Sequence, residues 1–190
     1  LEYVMEWASS RNRDRISGQG NLFESMNNNF IKEKGLVLDL ACGSGRHGRF
    51  LLEKGFNEVF LDRDISQLEW VSEEFRSRVI KHDLEAGTSW GFSPCSFDAV
   101  VVTNYLYRPI FPDLFSIIDE GGVLIYETFS KGNEIYGKPT NPNYLLEPEE
   151  LIDLVRPSMR LISFKEGYSS EGKGSITQKI VAVKRAAKTA

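Results

Sequence analysis

The sequence predicts an α/β fold built on a doubly wound, seven-stranded sheet, and three observations lead there. Apolar runs of four to seven residues alternate with amphipathic stretches through the middle of the chain, the pattern of parallel strands joined by crossover helices. A glycine-rich turn, Gly43 to Gly48, closes the first of those runs, and such turns present a helix N-terminus to a ligand. Towards the C-terminus two apolar runs are joined by Gly and Ser with no helix between them, which reads as a hairpin.

Residues 1–35 are polar and predict an N-terminal helical cap segment, with helices over 1–8 and 22–33. Strand one is Leu36 to Ala41, broken only by Asp39, as in a strand buried on both faces. Helix one runs from Arg46 to Lys54 and stops at Gly55. Strand two is Glu58 to Leu61, ending at Asp62, and Ser66 is placed to cap a helix reaching Arg76. Strand three is the short Val79 to Lys81, ending near Asp83, and Leu84 to Ser96 is too broken for a long helix. Strand four is Phe97 to Thr103, followed by a helix over Pro112 to Ile118 that stops before Gly121 and Gly122. Strand five, Val123 to Glu127, opens into a polar loop from Thr128 to Leu146, long enough to suggest a function. Glu147 to Val155 is a helix with Pro148 in its first turn. Leu161 to Tyr168 and Ile176 to Val183 form the hairpin. Strands one to five are therefore parallel, with strand seven antiparallel.

With 190 residues, the chain holds one domain at about 150 residues per domain, over 36–185, with 186–190 a tail. The apolar share of 41% and charged share of 26% suit a globular core and exclude a disordered, collagenous or coiled-coil chain. The net charge of −4 offers no footprint for nucleic acid and no attraction to an anionic membrane. No run approaches a membrane span and no signal peptide stands at the N-terminus, so a cytoplasmic location is expected. The sequence opens at Leu1 and not at Met, as a piece of a longer chain does. Cys42 and Cys95 lie in unlike settings, and with only two histidines the sequence suggests no metal site.

The strongest local signal is Asp39-Leu-Ala41-Cys-Gly43-Ser-Gly45-Arg46-His47-Gly48. Glycines are needed there so that the backbone can turn tightly and a ligand can approach the free N–H groups of the helix. Asp62 lies 19 residues beyond Gly43, where a ribose-binding carboxylate stands in nucleotide-binding α/β folds, with Asp64 as its fallback. Asp83 ends strand three, so three strands each deliver a carboxylate to one edge of the sheet. Gly43-x-Gly45-x-x-Gly48 satisfies the NAD fingerprint too, which leaves two ligand classes open. Charge separates them, because Asp39 in an apolar strand would repel a pyrophosphate but suits the ammonium of S-adenosylmethionine. Asp39 can also serve only to tie down the glycine turn, and Asp83 only to cap a loop.

These motifs resemble the seven-stranded (class I), Rossmann-like S-adenosylmethionine-dependent methyltransferases. Asp39 to Gly45 is similar to that family's first motif, with Ala41 where the first of three glycines often stands. Leu61-Asp62-Arg63-Asp64 resembles the strand-two motif, His82-Asp83-Leu84 the strand-three motif, and Phe97 to Tyr105 the strand-four motif. Gly121-Gly122 resembles the lead-in to strand five, and the terminal hairpin the family's last two strands. The resemblance covers residues 36–185 and leans towards small bacterial enzymes of the tellurite-resistance type. It implies S-adenosylmethionine as cofactor, S-adenosylhomocysteine as product and a small-molecule acceptor. The cofactor-binding residues it implies are Asp39, Ala41, Gly43, Gly45, Arg46 and His47 around the turn, with Asp62, Arg63, Asp83, Leu84 and Asn104 at the later strand ends.

Methyl transfer from a sulfonium asks chiefly for alignment and exclusion of water, so the catalytic candidates are aligning residues: Asn104, Tyr105 and Arg108. Tyr105 can line the methyl pocket or, with Tyr107, simply pack its loop. Arg108 can bind an anionic acceptor bidentately or form an ordinary salt bridge. His47 can reach the methionine end of the cofactor or just begin its helix, and His82 reads as structural. The 128–146 loop, with Phe129, Tyr136, Asn141 and Tyr144, and the N-terminal segment, with Tyr3, Trp7 and Arg13, are the candidate lids. Two alternatives stand beside this reading: an NAD(P)-dependent oxidoreductase, and a cofactor-binding module without catalysis.

Overall fold

The computed structural model describes residues 31, 34–71, 76–170 and 174–186. The expected N-terminal helices and the tail after 186 lie outside that set. Seven strands form one sheet in the order β3-β2-β1-β4-β5-β7-β6. They are β1 (Leu36–Leu40), β2 (Asn57–Asp62), β3 (Ser77–Lys81), β4 (Phe97–Thr103), β5 (Ile118–Phe129), β6 (Met159–Ser169) and β7 (Ser175–Lys184). The pairings among β1 to β5 are parallel, while β7 lies antiparallel between β5 and β6, as the sequence predicts. The described helices are α1 (Arg46–Glu53), α2 (Phe111–Ile117) and α3 (Glu150–Val155), and none is long and apolar enough to cross a membrane.

The continuous apolar runs follow from burial on both faces of the sheet. Leu38, Leu40, Val100, Val102, Leu124 and Tyr126 pack on one side with α2 and α3. On the other side Val37, Ala99, Val101 and Val123 pack with Leu51 of α1. Each fully buried aliphatic side chain contributes roughly 1.5–3 kcal/mol, so this two-sided core holds the strand ends in register beneath the site.

Three local expectations are corrected. The helix expected from Ser66 does not start there, since residues 65–71 hold only turns at 66–67 and 69–70, and 72–75 lie outside the described set. Asp64 Oδ1 accepts the Ser66 N–H at 3.0 Å, and Trp70 donates its indole N–H back to Ser44 O at 3.1 Å. The first bond makes a local turn after β2, and the second draws the segment towards the glycine turn instead of into a helix. Strand five begins at Ile118 and not at Val123, with a bulge opposite Phe97 and Ala99. Gly122 sits in it because a Cβ there would lie 2.8 Å from Asp119 O. The helix expected from Glu147 begins at Glu150, because Glu149 takes a left-handed backbone, φ 59°, which a right-handed helix cannot run through.

Candidate active site

The strand order reverses between β1 and β4, the place where open α/β sheets bind ligands at the carboxyl ends of their strands. A cavity of about 490 Å³ lies there, within the usual range for a small ligand. Ala41 follows β1 into it, Asp62 and Arg63 come from β2, and His82, Asp83, Leu84 and Glu85 follow β3. The far side is built from Asn104, Tyr105 and Leu106 after β4, from Thr128 and Phe129 of β5, and from Pro139 and Tyr144 of the loop beyond. Six of the eleven expected cofactor residues thus line one space: Ala41, Asp62, Arg63, Asp83, Leu84 and Asn104. Glu85 and Leu106 were not expected from the sequence. Thr128, at the end of β5, and Pro139, in the loop beyond, belong to the 128–146 segment expected to act as a lid, though neither was named for it.

The other five expected residues, Asp39, Gly43, Gly45, Arg46 and His47, build the turn beside that space. Gly43 and Gly45 have φ of 55° and 69°, a left-handed conformation that glycine adopts at no steric cost. Ala41 shares it at 52°, so the position that resembles a family glycine has the backbone of one. Gly48 is required for a different reason, since a Cβ there would stand 2.2 Å from the Phe60 ring. That close approach seats α1 on β2.

Two carboxylates hold the turn. Asp62 Oδ2 accepts the Gly43 N–H at 2.8 Å and Oδ1 the Asp64 N–H at 2.9 Å. Asp39 is fully buried; its Oδ2 accepts the Gly48 N–H at 3.0 Å, while its Oδ1 is buried with no partner. Tying down the turn therefore uses one oxygen of Asp39 and leaves the other unmet. Burial pushes the Asp39 carboxyl up to about 7; the Gly48 N–H opposes this, Asp62 adds to it and Arg46 lowers it. A cation reaching this point would restore the ionised form.

Glu58 of β2, on the same face of the sheet, is 1% exposed and neither of its oxygens has a partner. Burial, and then the charge of Asp39, push it up to about 10, so it is a neutral acid at pH 7. In the sequence it stands only as the first residue of strand two, although a Glu opening the apolar run Val59-Phe60-Leu61 was its signal.

Around the cavity, Tyr126 is buried on β5 and donates its hydroxyl to Tyr105 O at 2.8 Å, fixing the chain after β4. The Tyr105 hydroxyl lies 3.4 Å from Glu85 Oε1; burial first, and then Glu85, push its phenol above the usual range. His82 lines the cavity with a buried, unpartnered Nε2. His47 begins α1, where burial pulls it down to about 4 and Arg46 adds to the effect, so it carries no charge at pH 7.

Arg108 does not line this cavity. Its Nε and Nη2 donate to Glu150 Oε1 and Oε2 at 2.5 and 2.8 Å, and its Nη1 and Nη2 donate to the carbonyls of Asn143 and Leu145 at 2.8 and 3.0 Å. The anion-binding role considered for it gives way to the ion pair considered beside it, because the fork is filled by the protein itself. Arg108 thereby holds the loop on both sides of Tyr144. The base of that loop is closed by the Ser130–Leu146 bridge and by the ion pair of Lys131 with Glu147.

This geometry has counterparts among known proteins. Residues 37–120 match a family model described as a methyltransferase domain. Solved structures superpose on most of the chain. A Methanosarcina mazei S-adenosylmethionine-dependent methyltransferase has a TM-score of 0.65 at 17% identity over 84% of this chain and 97% of its own. The chain has the class I methyltransferase fold. The TehB-like S-adenosylmethionine-dependent methyltransferase of Corynebacterium glutamicum shares this methyltransferase fold, with a TM-score of 0.59 at 18% identity over 97% of both chains. The 1,6-didemethyltoxoflavin-N1-methyltransferase of Burkholderia thailandensis, solved with 1,6-didemethyltoxoflavin and S-adenosylhomocysteine, has a TM-score of 0.65 at 14% identity over 97% of this chain and 86% of its own. In sequence, YqeM of Bacillus subtilis (strain 168), a methyltransferase by name, is 31% identical over 113 residues, 53% of this chain and 44% of the relative. The chain thus matches less than half the length of that relative. The Methanosarcina and Corynebacterium neighbours are S-adenosylmethionine-dependent by name, and the Burkholderia neighbour was solved with S-adenosylhomocysteine.

Proposed function

We propose that this chain is an S-adenosylmethionine-dependent methyltransferase that acts on a small-molecule acceptor by direct displacement. The observation that carries the reading is the pairing of Asp39 and Asp62 across the glycine turn, with Asp39 Oδ1 buried and unmet. That donor set fits a ligand with an ammonium at one end and ribose hydroxyls at the other. It argues against a pyrophosphate, since the Gly43 and Gly48 N–H groups are already given to carboxylates. When bound, the cofactor supplies an activated methyl on a sulfonium.

The chain's own part is to bind and to align. Asp39 would hold the ammonium, Asp62 the ribose and Asp83 the adenine edge, while Leu84 gives the base an apolar wall. Asn104 and Tyr105 stand at the end of β4, held by the Asn104 N–H bond to Glu127 O at 2.8 Å and by Tyr126, and would face the methyl. Phe129, Pro139 and Tyr144 line the β5 side of the cavity and would limit the access of water once a ligand is bound. A small acceptor is supported by the cavity volume and, by likeness, by the 1,6-didemethyltoxoflavin bound in the Burkholderia neighbour. Isothermal titration of S-adenosylhomocysteine into the Asp62→Ala variant tests this reading. The loss of charge-assisted hydrogen bonds worth about 1.5–3 kcal/mol predicts a Kd raised roughly tenfold or more, and an unchanged Kd would remove Asp62 from the site.

A further inference from the structure

A second cavity, of about 360 Å³, adjoins the first and has the size of a small-ligand site. His82 and Leu84 line both. Among the described residues, the rest of its lining comes from the segment between β3 and β4, from the segment after β4 and from α2, and none of it from the glycine turn, β2 or β5. Asp62, Arg63, Asp83 and Glu85 line the first cavity alone. The two spaces thus share one wall and differ in chemistry.

Three half-buried rings, those of Trp90, Phe92 and Tyr107, line the second cavity and pack against the main core cluster. Phe92 is fixed edge-on to the buried Phe97, with ring centroids 4.9 Å apart and planes at 87°. Trp90 lies 6.2 Å from Phe92 at 58°, a tilt in which neither ring covers the face of the other by stacking. Ring faces carry negative potential. Beside them stands the Asp113 carboxylate, which has no partner among the described residues. Asp113 lies in the first turn of α2, where a carboxylate is favoured by the helix end alone; the rings next to it are what turn the position into a binding surface. Among the described residues no Lys or Arg lines this cavity, so an anion would meet repulsion without compensation.

We propose that the second cavity binds a small organic cation, an alkylated ammonium held against the ring faces with Asp113 as its counter-charge. Ring faces with one carboxylate favour a weakly hydrated, methylated cation over a metal ion, which asks for several oxygen ligands. The site is accessory to the first cavity: its occupant meets the same His82 and Leu84 that border the space assigned to the cofactor, and leaves the β5 side free for an acceptor.

Benzyltrimethylammonium is the probe, with benzyl alcohol and phenylacetate as its neutral and anionic controls. In a ligand-observed NMR titration the probe should bind saturably and each control at least about fivefold more weakly, the loss expected for a cation's contact with ring faces at a partly exposed site. Asp113→Asn and Trp90→Leu should each weaken the probe by about the same factor. The first of these keeps the shape of an exposed side chain, which separates lost charge from lost folding. Saturating S-adenosylhomocysteine should leave the probe bound. The proposal is overturned if the probe does not bind, if a control binds as well as the probe, or if either variant binds it as the unaltered protein does. Displacement of the probe by S-adenosylhomocysteine would also overturn it, by placing the cation in the first cavity. If S-adenosylhomocysteine itself does not bind, the methyltransferase reading falls, and the controls and the two variants still decide this proposal on their own.

Discussion

Asp39 is buried among apolar strands with one oxygen on the Gly48 N–H and the other on nothing, and its carboxyl sits near 7. An ammonium requires the ionised form. Below that pH, binding must first remove a proton, so S-adenosylhomocysteine affinity should fall by up to about tenfold per pH unit, since one unit is worth about 1.36 kcal/mol. Above it, affinity should level off. Asp62 and Arg46 act on Asp39 in opposite senses, and Glu58 stays neutral through this range, so Asp39 sets the midpoint. Calorimetry from pH 5.5 to 8.5 checks this, and an Asp39→Asn variant should show the slope abolished. Ala41 carries a second residue-scale prediction. A left-handed alanine costs roughly 1–2 kcal/mol, partly offset by the extra entropy glycine loses on folding. Ala41→Gly should therefore raise Tm by roughly 2–4 °C, the shift about 1 kcal/mol gives a chain of this size. A lowered Tm in a thermal melt would contradict the reading of that φ.

Among the elements, the loop after β5 depends on one side chain from the segment after β4. Arg108 reaches Glu150, 42 residues away, and closes on the carbonyls of Asn143 and Leu145. Its side chain is 36% exposed and that of Glu150 17%, so the pair adds little to global stability and much to local order. Arg108→Ala should speed hydrogen exchange of the Leu145 and Leu146 amides at least tenfold while the β1 and β4 amides keep their protection. Uniform exchange in both proteins would show that the pin is idle. The same element marks a limit of sequence reading. The Asp residues at strand ends were legible because residue type and strand position together imply their direction. The partner of Arg108 was not, because nothing in local spacing ties it to a residue 42 positions away. The turns over 65–71 were missed in a related way, since an Asx turn at Asp64 and the reach of Trp70 back to Ser44 override a helical pattern that short-range propensity favours.

At the scale of the molecule, the seven-stranded order and its parallel and antiparallel pairings followed from apolar runs and the change of rhythm before the hairpin. The sheet brings the ends of five strands to one cavity, acidic towards β3 and aromatic towards β5. The acidic half was visible in the sequence as Asp62 and Asp83, and the aromatic half in part, as Tyr105 after strand four and Phe129 and Tyr144 of the candidate lid; the folding back of the loop that brings Tyr144 to the cavity is seen only in the tertiary structure. What the assembled site asks for is a ligand positive at the glycine turn, and this separates S-adenosylmethionine and its product from a dinucleotide. Calorimetric titration of the unaltered protein with S-adenosylhomocysteine and, separately, with NADH at pH 8 measures that difference directly. Saturable one-site binding of S-adenosylhomocysteine, with no heat from NADH at the same concentrations, is the predicted result; NADH binding without S-adenosylhomocysteine binding would contradict it.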